Sequence, residues 1–184
     1  APEGSGAMSA VLGMDASVIE NVLNGREGVS IANYNCPGQI VITGEAAAVA
    51  EAGTALKEAG ARRVLPLKVS GPFHSPMMRP AGEELAKVFA GVSMNPLKVP
   101  YVANINAEVI TDCGRIEGLL VDQVSGSVRW QQSVENMIRQ GVDTFIEIGP
   151  GRTLAGFMRK IDRNVKVYNI QTVEDAEKVC QELV

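Results

Sequence analysis

A single histidine, His74, is the residue of this chain best suited to proton transfer. Imidazole exchanges protons near neutral pH without a perturbed environment, so a well-placed histidine can serve as a general base. It lies in the proline-punctuated loop Gly71-Pro72-Phe73-His74-Ser75, after an alternating apolar and polar run over residues 61–69. Such alternation predicts a half-buried strand, which would hold the imidazole over a cleft. A histidine that merely fills a loop is the commoner outcome, and these residues alone leave both interpretations open.

Two further segments could carry chemistry because each follows a predicted strand, where ligands of open parallel sheets collect. Asn104-Ile105-Asn106 forms a polar turn. Gly149-Pro150-Gly151-Arg152-Thr153 joins a strand to a helix, whose N-terminus could hold an anion. The glycine segment lacks the spacing and the lysine of a phosphate-binding loop. We therefore interpret it as a tight strand-to-helix turn rather than as a phosphate site.

The composition of the 184 residues is that of a globular protein and argues against several classes of function. The net charge of −4 and the 4% aromatic content are unlike those of nucleic-acid-binding domains, so no nucleic-acid partner is expected. Cys36, Cys113 and Cys180 share no close spacing, and one histidine cannot complete a zinc site with them, so no metal is expected. Since no apolar run reaches membrane-spanning length and no signal peptide is evident, we expect a cytoplasmic protein with no membrane partner.

The first part of the chain has the element order of a ferredoxin-like unit. Strand-like and helical segments follow one another as β-α-β-β-α-β, with predicted bounds at residues 7–14, 18–23, 29–35, 39–43, 45–59 and 61–69. Asp15 is predicted to cap the first helix, and Cys36-Pro37-Gly38 supplies a hairpin turn. We therefore expect a compact subdomain over residues 7–68, with two helices on one face of a four-stranded antiparallel sheet.

Residues 69–184 alternate strands and helices, a pattern that predicts an α/β fold with a parallel sheet covered by helices. Strands are expected at 100–103, 143–148 and 165–170, and helices near 76–90, 116–124, 130–139, 154–161 and from 172 onward. Thr172 and Asp175 match a variant of the capping box at the start of the last helix.

Four motifs of this chain resemble those of a known family. They are Asn33-Tyr34-Asn35-Cys36-Pro37-Gly38-Gln39, Gly71-Pro72-Phe73-His74-Ser75, the stretch 123–130 and Glu147-Ile148-Gly149-Pro150-Gly151. Their order is that of the malonyl-CoA:acyl carrier protein transacylases, the loading enzymes of bacterial fatty-acid synthesis. The resemblance runs from Gly6 to the C-terminus. It implies that residues 69–184 form the C-terminal part of the family's large α/β-hydrolase-like acyltransferase subdomain.

The resemblance also implies roles for individual residues. His74 would be the general base that activates a serine nucleophile, and the backbone carbonyl of Gln123 would orient its imidazole. Malonyl would move from malonyl-CoA to the serine and then to the phosphopantetheine thiol of an acyl carrier protein, without a metal or other cofactor. Asn33 and Asn35 would face the substrate cleft, although either could instead be a turn residue of the hairpin. The full-length enzyme would be a monomer.

The family's nucleophile has no counterpart in the sequence. It stands in a Gly-x-Ser-x-Gly elbow, and no serine of this chain has that context. The arginine that binds the malonyl carboxylate and the glutamine of the oxyanion hole cannot be mapped either. We therefore expect the chain to be the C-terminal portion of such an enzyme, carrying the base without the nucleophile and inactive by itself.

Three alternatives stay open. Ser70 or Ser75 could act as nucleophile, although adjacency to His74 does not give in-line geometry. The chain could be a non-catalytic module that binds carrier protein or a small acid. It could also belong to a polyketide synthase acyltransferase domain. Related domains that select malonyl place phenylalanine before the histidine, as Phe73 stands here. A ring that crowds an extra methyl group discriminates by about 1–3 kcal/mol.

Overall fold

The computed structural model describes residues 4–69 and 71–183. These form two compact units, which divide between Ser133 and Val134. The subdomain boundary expected from the sequence, between residues 68 and 69, stays a prediction.

A four-stranded antiparallel sheet with two helices dominates the first unit. Its elements are β1 (Gly6–Leu12), α1 (Ala16–Leu23), β2 (Val29–Cys36), β3 (Gln39–Glu45), α2 (Ala46–Glu58) and β4 (Arg63–Pro66). The strands lie in the order β2-β3-β1-β4, and each neighbouring pair is antiparallel. This is the ferredoxin-like arrangement predicted from the sequence.

The two faces of this sheet are covered to different extents, because successive side chains of a strand point to opposite faces. On the helix side, a continuous apolar core joins the sheet to α1 and α2, with Val11, Ile19, Ile31, Ile40, Ile42, Val49 and Leu56 among its buried members. On the opposite, helix-free face, a smaller cluster contains Met8, Ala32 and Val41. The helix core therefore holds the sheet together, and the helix-free face is left to other parts of the unit.

Two local predictions about this unit were confirmed only in part. The fourth strand spans four residues rather than nine: its pairing with β1 runs from Arg63 to Pro66 and is followed by one further backbone bond, from the N–H of Leu67 to the oxygen of Met8 at 2.9 Å. Asp15 does stand at the N-cap of α1 in an extended conformation, but its side chain makes no capping hydrogen bond.

The rest of the first unit consists of helices and one short hairpin. A 3₁₀ turn (Pro76–Met78) leads into α3 (Arg79–Phe89), followed by β5 (Tyr101–Val102), β6 (Val109–Ile110), a second 3₁₀ turn (Cys113–Arg115), α4 (Ile116–Ser125) and the start of α5 (Trp130–Arg139). Helices α3 and α4 pack closely at Gly82, where a Cβ would lie 3.1 Å from the carbonyl oxygen of Val121. Strand β6 was not predicted, since two residues are too few to show a period of two, and it pairs antiparallel with β5.

The second unit contains the parallel pair expected from the sequence. After the end of α5 come β7 (Thr144–Ile148), α6 (Thr153–Ile161), β8 (Lys166–Ile170) and α7 (Val173–Leu183). Strands β7 and β8 are parallel and in continuous register, and both α6 and α7 contact β8. Across residues 4–69 and 71–183, every helix is too short or too polar to cross a membrane.

The capping box at the start of α7 is confirmed. The backbone N–H of Asp175 donates to the hydroxyl of Thr172 at 3.2 Å, and the N–H of Thr172 donates to the Asp175 carboxylate at 3.1 Å. Backbone N–H donors at Gln171 and Thr172 hold the pKa of the Asp175 carboxyl below its usual value. The cap works with aspartate in place of the usual glutamate.

Candidate active site

The loop that carries His74 rests on the first strand of the sheet. Pro72 is buried, and a Cβ at Gly6 would lie only 2.5 Å from the Pro72 ring, so glycine is needed for this close approach. Gly6 lies two residues before Met8 on β1 and therefore on the same, helix-free face. The loop is thus seated on the helix-free face of the ferredoxin-like sheet.

His74 itself has a strained backbone that its neighbours hold in place. Its φ is +58°, in the left-handed region that residues other than glycine seldom adopt. The hydroxyl of Ser75 is fully buried and donates to the carbonyl oxygen of Pro72 at 2.7 Å, which closes the loop across His74. A buried hydroxyl already engaged in this way is poorly placed to attack a substrate. Ser70, the other neighbouring serine considered as a nucleophile, lies outside the described residues.

The structure brings together His74 and Gln123, which are 49 residues apart in the sequence. The Nδ1 atom of His74 lies 3.1 Å from the backbone oxygen of Gln123, near the C-terminus of α4. A carbonyl oxygen can only accept, so Nδ1 carries the proton and donates it. This tautomer leaves Nε2 with a lone pair, and Nε2 has no hydrogen-bond partner among the described residues.

The segment that leaves α4, Gly126–Arg129, is attached to the edge strand β2. The hydroxyl of Ser127 donates to the oxygen of Ile31 at 2.6 Å. The N–H of Val128 donates to Ala32 at 2.7 Å, and the N–H of Tyr34 donates to Val128 at 2.9 Å. The two backbone bonds form a short parallel bridge at the edge of the sheet, and the Ser127 hydroxyl adds a side-chain bond beside it. We call Gly126–Arg129 the exit segment.

Tyr34 also contacts the exit segment through its side chain. Its ring lies under the guanidinium of Arg129, with 5.5 Å between the Arg129 Cζ atom and the ring centre, and its hydroxyl donates to Glu20 at 2.8 Å. Burial, together with the adjacent Glu20 carboxylate, raises the pKa of Tyr34 to about 12. The phenol therefore stays protonated as a donor throughout the physiological range.

The substrate-cleft residues expected from the sequence lie near this loop or on β2. Asn33 and Asn35 are both within the strand β2, so the interpretation of either as a turn residue was wrong. Asn33 is paired with Val41, whose side chain belongs to the cluster on the helix-free face, and it therefore lies on the same face as the loop of His74. Phe73, next to His74, keeps 42% of its surface exposed.

The turn Asn104-Ile105-Asn106 has a structural role. It connects β5 to β6, and the side-chain oxygen of Asn106 accepts from the N–H of Glu108 at 3.1 Å. The backbone oxygen of Asn104 accepts from the N–H of Arg129 at 2.8 Å, so the turn holds the exit segment. The turn thus supports the site of His74 and Gln123 through its backbone.

The N-terminus of α6 is occupied by a carboxylate of the chain itself. Glu147 accepts from the backbone N–H groups of Leu154 at 3.0 Å and Ala155 at 2.9 Å. A negative charge at these N–H groups is the interaction that a bound phosphate would make. This contact supports the interpretation of residues 149–153 as a strand-to-helix turn.

Two further features border the site or bear on its chemistry. A cavity of about 250 Å³ lies between the ends of β2 and β3 and the residues that follow His74, with Ser30, Gly44, Ser75 and Met77 in its wall. Within the part of the chain that the structure describes, no group of three or more His, Cys, Asp or Glu side chains is placed to hold a metal ion. The three cysteines, all described, are not joined by disulfides.

Sequence reasoning missed the attachment of the exit segment to β2. Ser127 and Ile31 are 96 residues apart, and neither belongs to a pattern that points to the other. The nearest signal is Gly126, which ends α4 and releases the chain toward the sheet.

Comparison with known proteins decides the family. Residues 2–178 match the profile of a family described as the acyl transferase domain. The chain belongs to this family. It is 44% identical over 186 aligned residues to the malonyl CoA-acyl carrier protein transacylase of Bacillus subtilis strain 168. The alignment covers 99% of this chain and 59% of that relative.

Solved acyl transferase structures agree with the sequence comparison. A malonyl CoA-acyl carrier protein transacylase from Clostridium perfringens superposes with a TM-score of 0.94 at 41% identity, over 100% of this chain and 58% of that one. A malonyl-transacylase in complex with a type II polyketide acyl carrier protein gives a TM-score of 0.92 at 37% identity, over 99% and 60% of the two chains. The chain therefore spans about three fifths of the length of these relatives.

Proposed function

We propose that this chain provides the base-carrying part of a malonyl-CoA:acyl carrier protein S-malonyltransferase. The observation that carries the proposal is the contact between His74 Nδ1 and the Gln123 carbonyl, in a chain of the acyl transferase family. Relatives at 42–44% identity bear the name malonyl CoA-acyl carrier protein transacylase, which favours malonyl transfer over a binding module or a polyketide synthase domain.

His74 would act through Nε2. It would take the proton of a serine hydroxyl as the serine oxygen attacks the malonyl thioester, and return that proton to the departing coenzyme A thiolate. In the second half-reaction it would deprotonate the phosphopantetheine thiol of the carrier protein, which attacks the malonyl-serine ester, and the proton would return to the serine. The Gln123 carbonyl would keep Nδ1 protonated, so that the lone pair of Nε2 is available at the start of each half-reaction.

Three residues would line the acyl and pantetheine path. Phe73 is next to the base and half exposed, so its ring could limit the size of the acyl group to malonyl. Asn33 and Asn35 lie on β2, and Asn33 lies on the face that carries the base. We propose that the complete enzyme is a cytoplasmic monomer of fatty-acid synthesis that uses no metal and binds malonyl-CoA and acyl carrier protein.

The proposal is tested by completing the chain. The chain is joined to the portion of the Bacillus subtilis relative that has no counterpart here, and transfer of labelled malonyl from malonyl-CoA to a holo-acyl carrier protein is measured. His74→Ala should lower kcat by about 10²–10⁴-fold, the usual contribution of a general base. Carriers of fatty-acid and type II polyketide synthesis, assayed in parallel, identify the preferred partner.

Glu58→Ala, an exposed change at the end of α2, is the matched control and should transfer at the unmodified rate. Binding of carrier protein without any transfer in the unmodified chimaera would point to a non-catalytic module. Normal malonylation of the carrier by the His74→Ala protein would exclude His74 as the base.

A further inference from the structure

We propose that the side-chain amide of Gln123 is a positioning group for His74, distinct from the backbone carbonyl of the same residue. The inference rests on the proposed function in that His74 is the base. The amide would keep the carbonyl of Gln123 available to the imidazole by fixing the path of the chain after α4.

The carbonyl that His74 contacts is one that a longer helix would use. Helix α4 ends at Ser125, so the oxygen of Gln123 is among its last four and lacks an intrahelical partner. If the helix continued by one turn, the N–H of Ser127 would donate to this oxygen. That bond would compete directly with the bond from His74 Nδ1.

The Gln123 amide holds the chain in a path that prevents this competition. Its Nε2 atom donates to the oxygen of Gly126 at 2.9 Å and to that of Ser127 at 3.3 Å. Gly126 is extended, with φ −107° and ψ 158°, so the N–H of Ser127 is carried away from the helix. The side chain thus binds Gly126 and Ser127, the residues that would have to be helical for the N–H of Ser127 to reach the backbone oxygen of Gln123.

The orientation of this amide follows from its partners. Both neighbours are carbonyl oxygens, which only accept, so the nitrogen rather than the oxygen must face them. The opposite end, Oε1, is buried and has no hydrogen-bond partner among the residues that the structure describes. A buried unpaired acceptor costs free energy, and the two bonds of Nε2 are what offset that cost.

The far side of the exit segment is fixed by β2. Ser127 and Val128 are bonded to Ile31 and Ala32, so Ser127 is held both by the amide of Gln123 and by the edge strand. The Gln123 amide is therefore the connection between the sheet and the carbonyl that orients the base.

The single histidine allows a test that does not need catalysis. In the unsubstituted 184-residue chain, the imidazole ¹⁵N shifts of a His74-labelled sample report the tautomer without assignment, and they should show protonated Nδ1 and unprotonated Nε2. Three variants then test the side-chain amide. Gln123→Met keeps the side-chain length and removes the hydrogen-bond donor, so it should give a mixture of the two His74 tautomers. Gln123→Glu, whose carboxylate faces two carbonyl oxygens, should shift the mixture further. Gln140→Met, an exposed glutamine just after α5, is the control and should leave the tautomer unchanged.

The second test measures the kinetics of the completed enzyme. The rates are divided by the amount of active protein, which is determined from the amount of malonyl label that the protein binds. Gln123→Met should lower kcat by about tenfold, a fraction of what the base contributes, with KM for malonyl-CoA within about twofold. Protonated Nε2 in the unsubstituted chain, or the native tautomer retained in both variants, would overturn the proposal. If both variants fail to fold, the side-chain amide of the unsubstituted chain decides: slow hydrogen exchange of a Gln123 amide proton is expected, and fast exchange of both protons would overturn the proposal. Because the tautomer is read without substrate, a failure of the proposed transfer reaction would not be mistaken for a failure of this inference.

Discussion

Two of the sheets of this protein, the ferredoxin-like sheet and the pair β7–β8, differ in how much buried apolar packing each has within its own unit. The ferredoxin-like sheet has four strands and a continuous buried core with α1 and α2, in which Ile40 and Ile42 are almost fully buried. The pair β7–β8 has two strands, and on it Ile148 is 77% exposed and Ile146 41% exposed. Two-stranded sheets are marginal without further packing, whereas four strands under two helices can be stable alone.

This difference shows how the candidate site is supported. The loop of His74 and the exit segment are both attached to the ferredoxin-like sheet, through Gly6 and through β2. The better-packed of the two sheets therefore carries the residues whose geometry matters for proton transfer. Rigid scaffolds beneath functional loops are the usual arrangement in enzymes.

The largest expected effect is on the core of the ferredoxin-like sheet. Ile42→Ala in β3 removes a fully buried side chain and should lower the free energy of unfolding by about 2–5 kcal/mol. Ile148→Ala on β7 is the matched substitution at an exposed position and should change it by less than about 0.5 kcal/mol. Urea unfolding followed by fluorescence of Trp130, the one tryptophan, measures the first unit, and unfolding followed by hydrogen exchange of β7 and β8 measures the second. Equal losses in the two variants would remove the contrast between the sheets.

An intermediate loss of stability is expected when the Glu147 carboxylate at the start of α6 is removed from the second unit. Glu147→Ala removes the acceptor for two N–H groups at the start of α6 and should destabilise the second unit by about 1–2 kcal/mol. Hydrogen exchange of β7, α6 and β8 should become faster, with no change in β1–β3. Glu177→Ala, an exposed change within α7, provides the control. Unchanged exchange in α6 would mean that water replaces the carboxylate without cost.

The smallest effect concerns the tyrosine that anchors the exit segment. Tyr34 has its pKa raised from 10.0 to about 12, so the folded chain keeps a proton that the unfolded chain releases. Its contribution to stability is complete below pH 10 and is lost as the pH rises from about 10 to 12. Tyr34→Phe should remove this alkaline dependence and cost about 1 kcal/mol at neutral pH through loss of the bond to Glu20. Unfolding curves recorded between pH 8 and pH 12 test both the pH dependence and the loss at neutral pH. If the free energy of unfolding of the variant still falls equally between pH 10 and pH 12, groups other than Tyr34 cause that fall.

The sequence was sufficient to predict the elements and the pairing of the ferredoxin-like unit, because its signals are local. Alternating apolar residues, the turn at Pro37-Gly38 and the helix ended by Gly60 each act within a few residues. The same holds for the capping box at Thr172 and Asp175, which the structure confirms. Strand β4 was predicted too long because the alternation of apolar and polar residues runs over residues 61–69, whereas the pairing with β1 is limited to Arg63–Pro66.

What the sequence could not supply is the support around the base. The contact of Gln123 with His74 came from a family resemblance, and no local pattern links the two residues. The left-handed backbone of His74, the Ser75 bond that closes the loop and the exit segment on β2 depend on tertiary contacts. Contacts between single residues far apart in the chain produce no periodic sequence pattern, so they can be found only in the three-dimensional structure.

The separations in sequence around the base have a consequence for folding. Gly6 seats a loop more than sixty residues later in the chain, and Ile31 meets Ser127 across an interval of 96 residues. Contacts of this length close late, because the entropy of a long loop must be overcome before the contact forms. During synthesis, β1–β3 can pair long before residue 128 leaves the ribosome, so we expect a folded sheet to precede an oriented imidazole. The proton-transfer geometry would then be among the last features of the first unit to be completed.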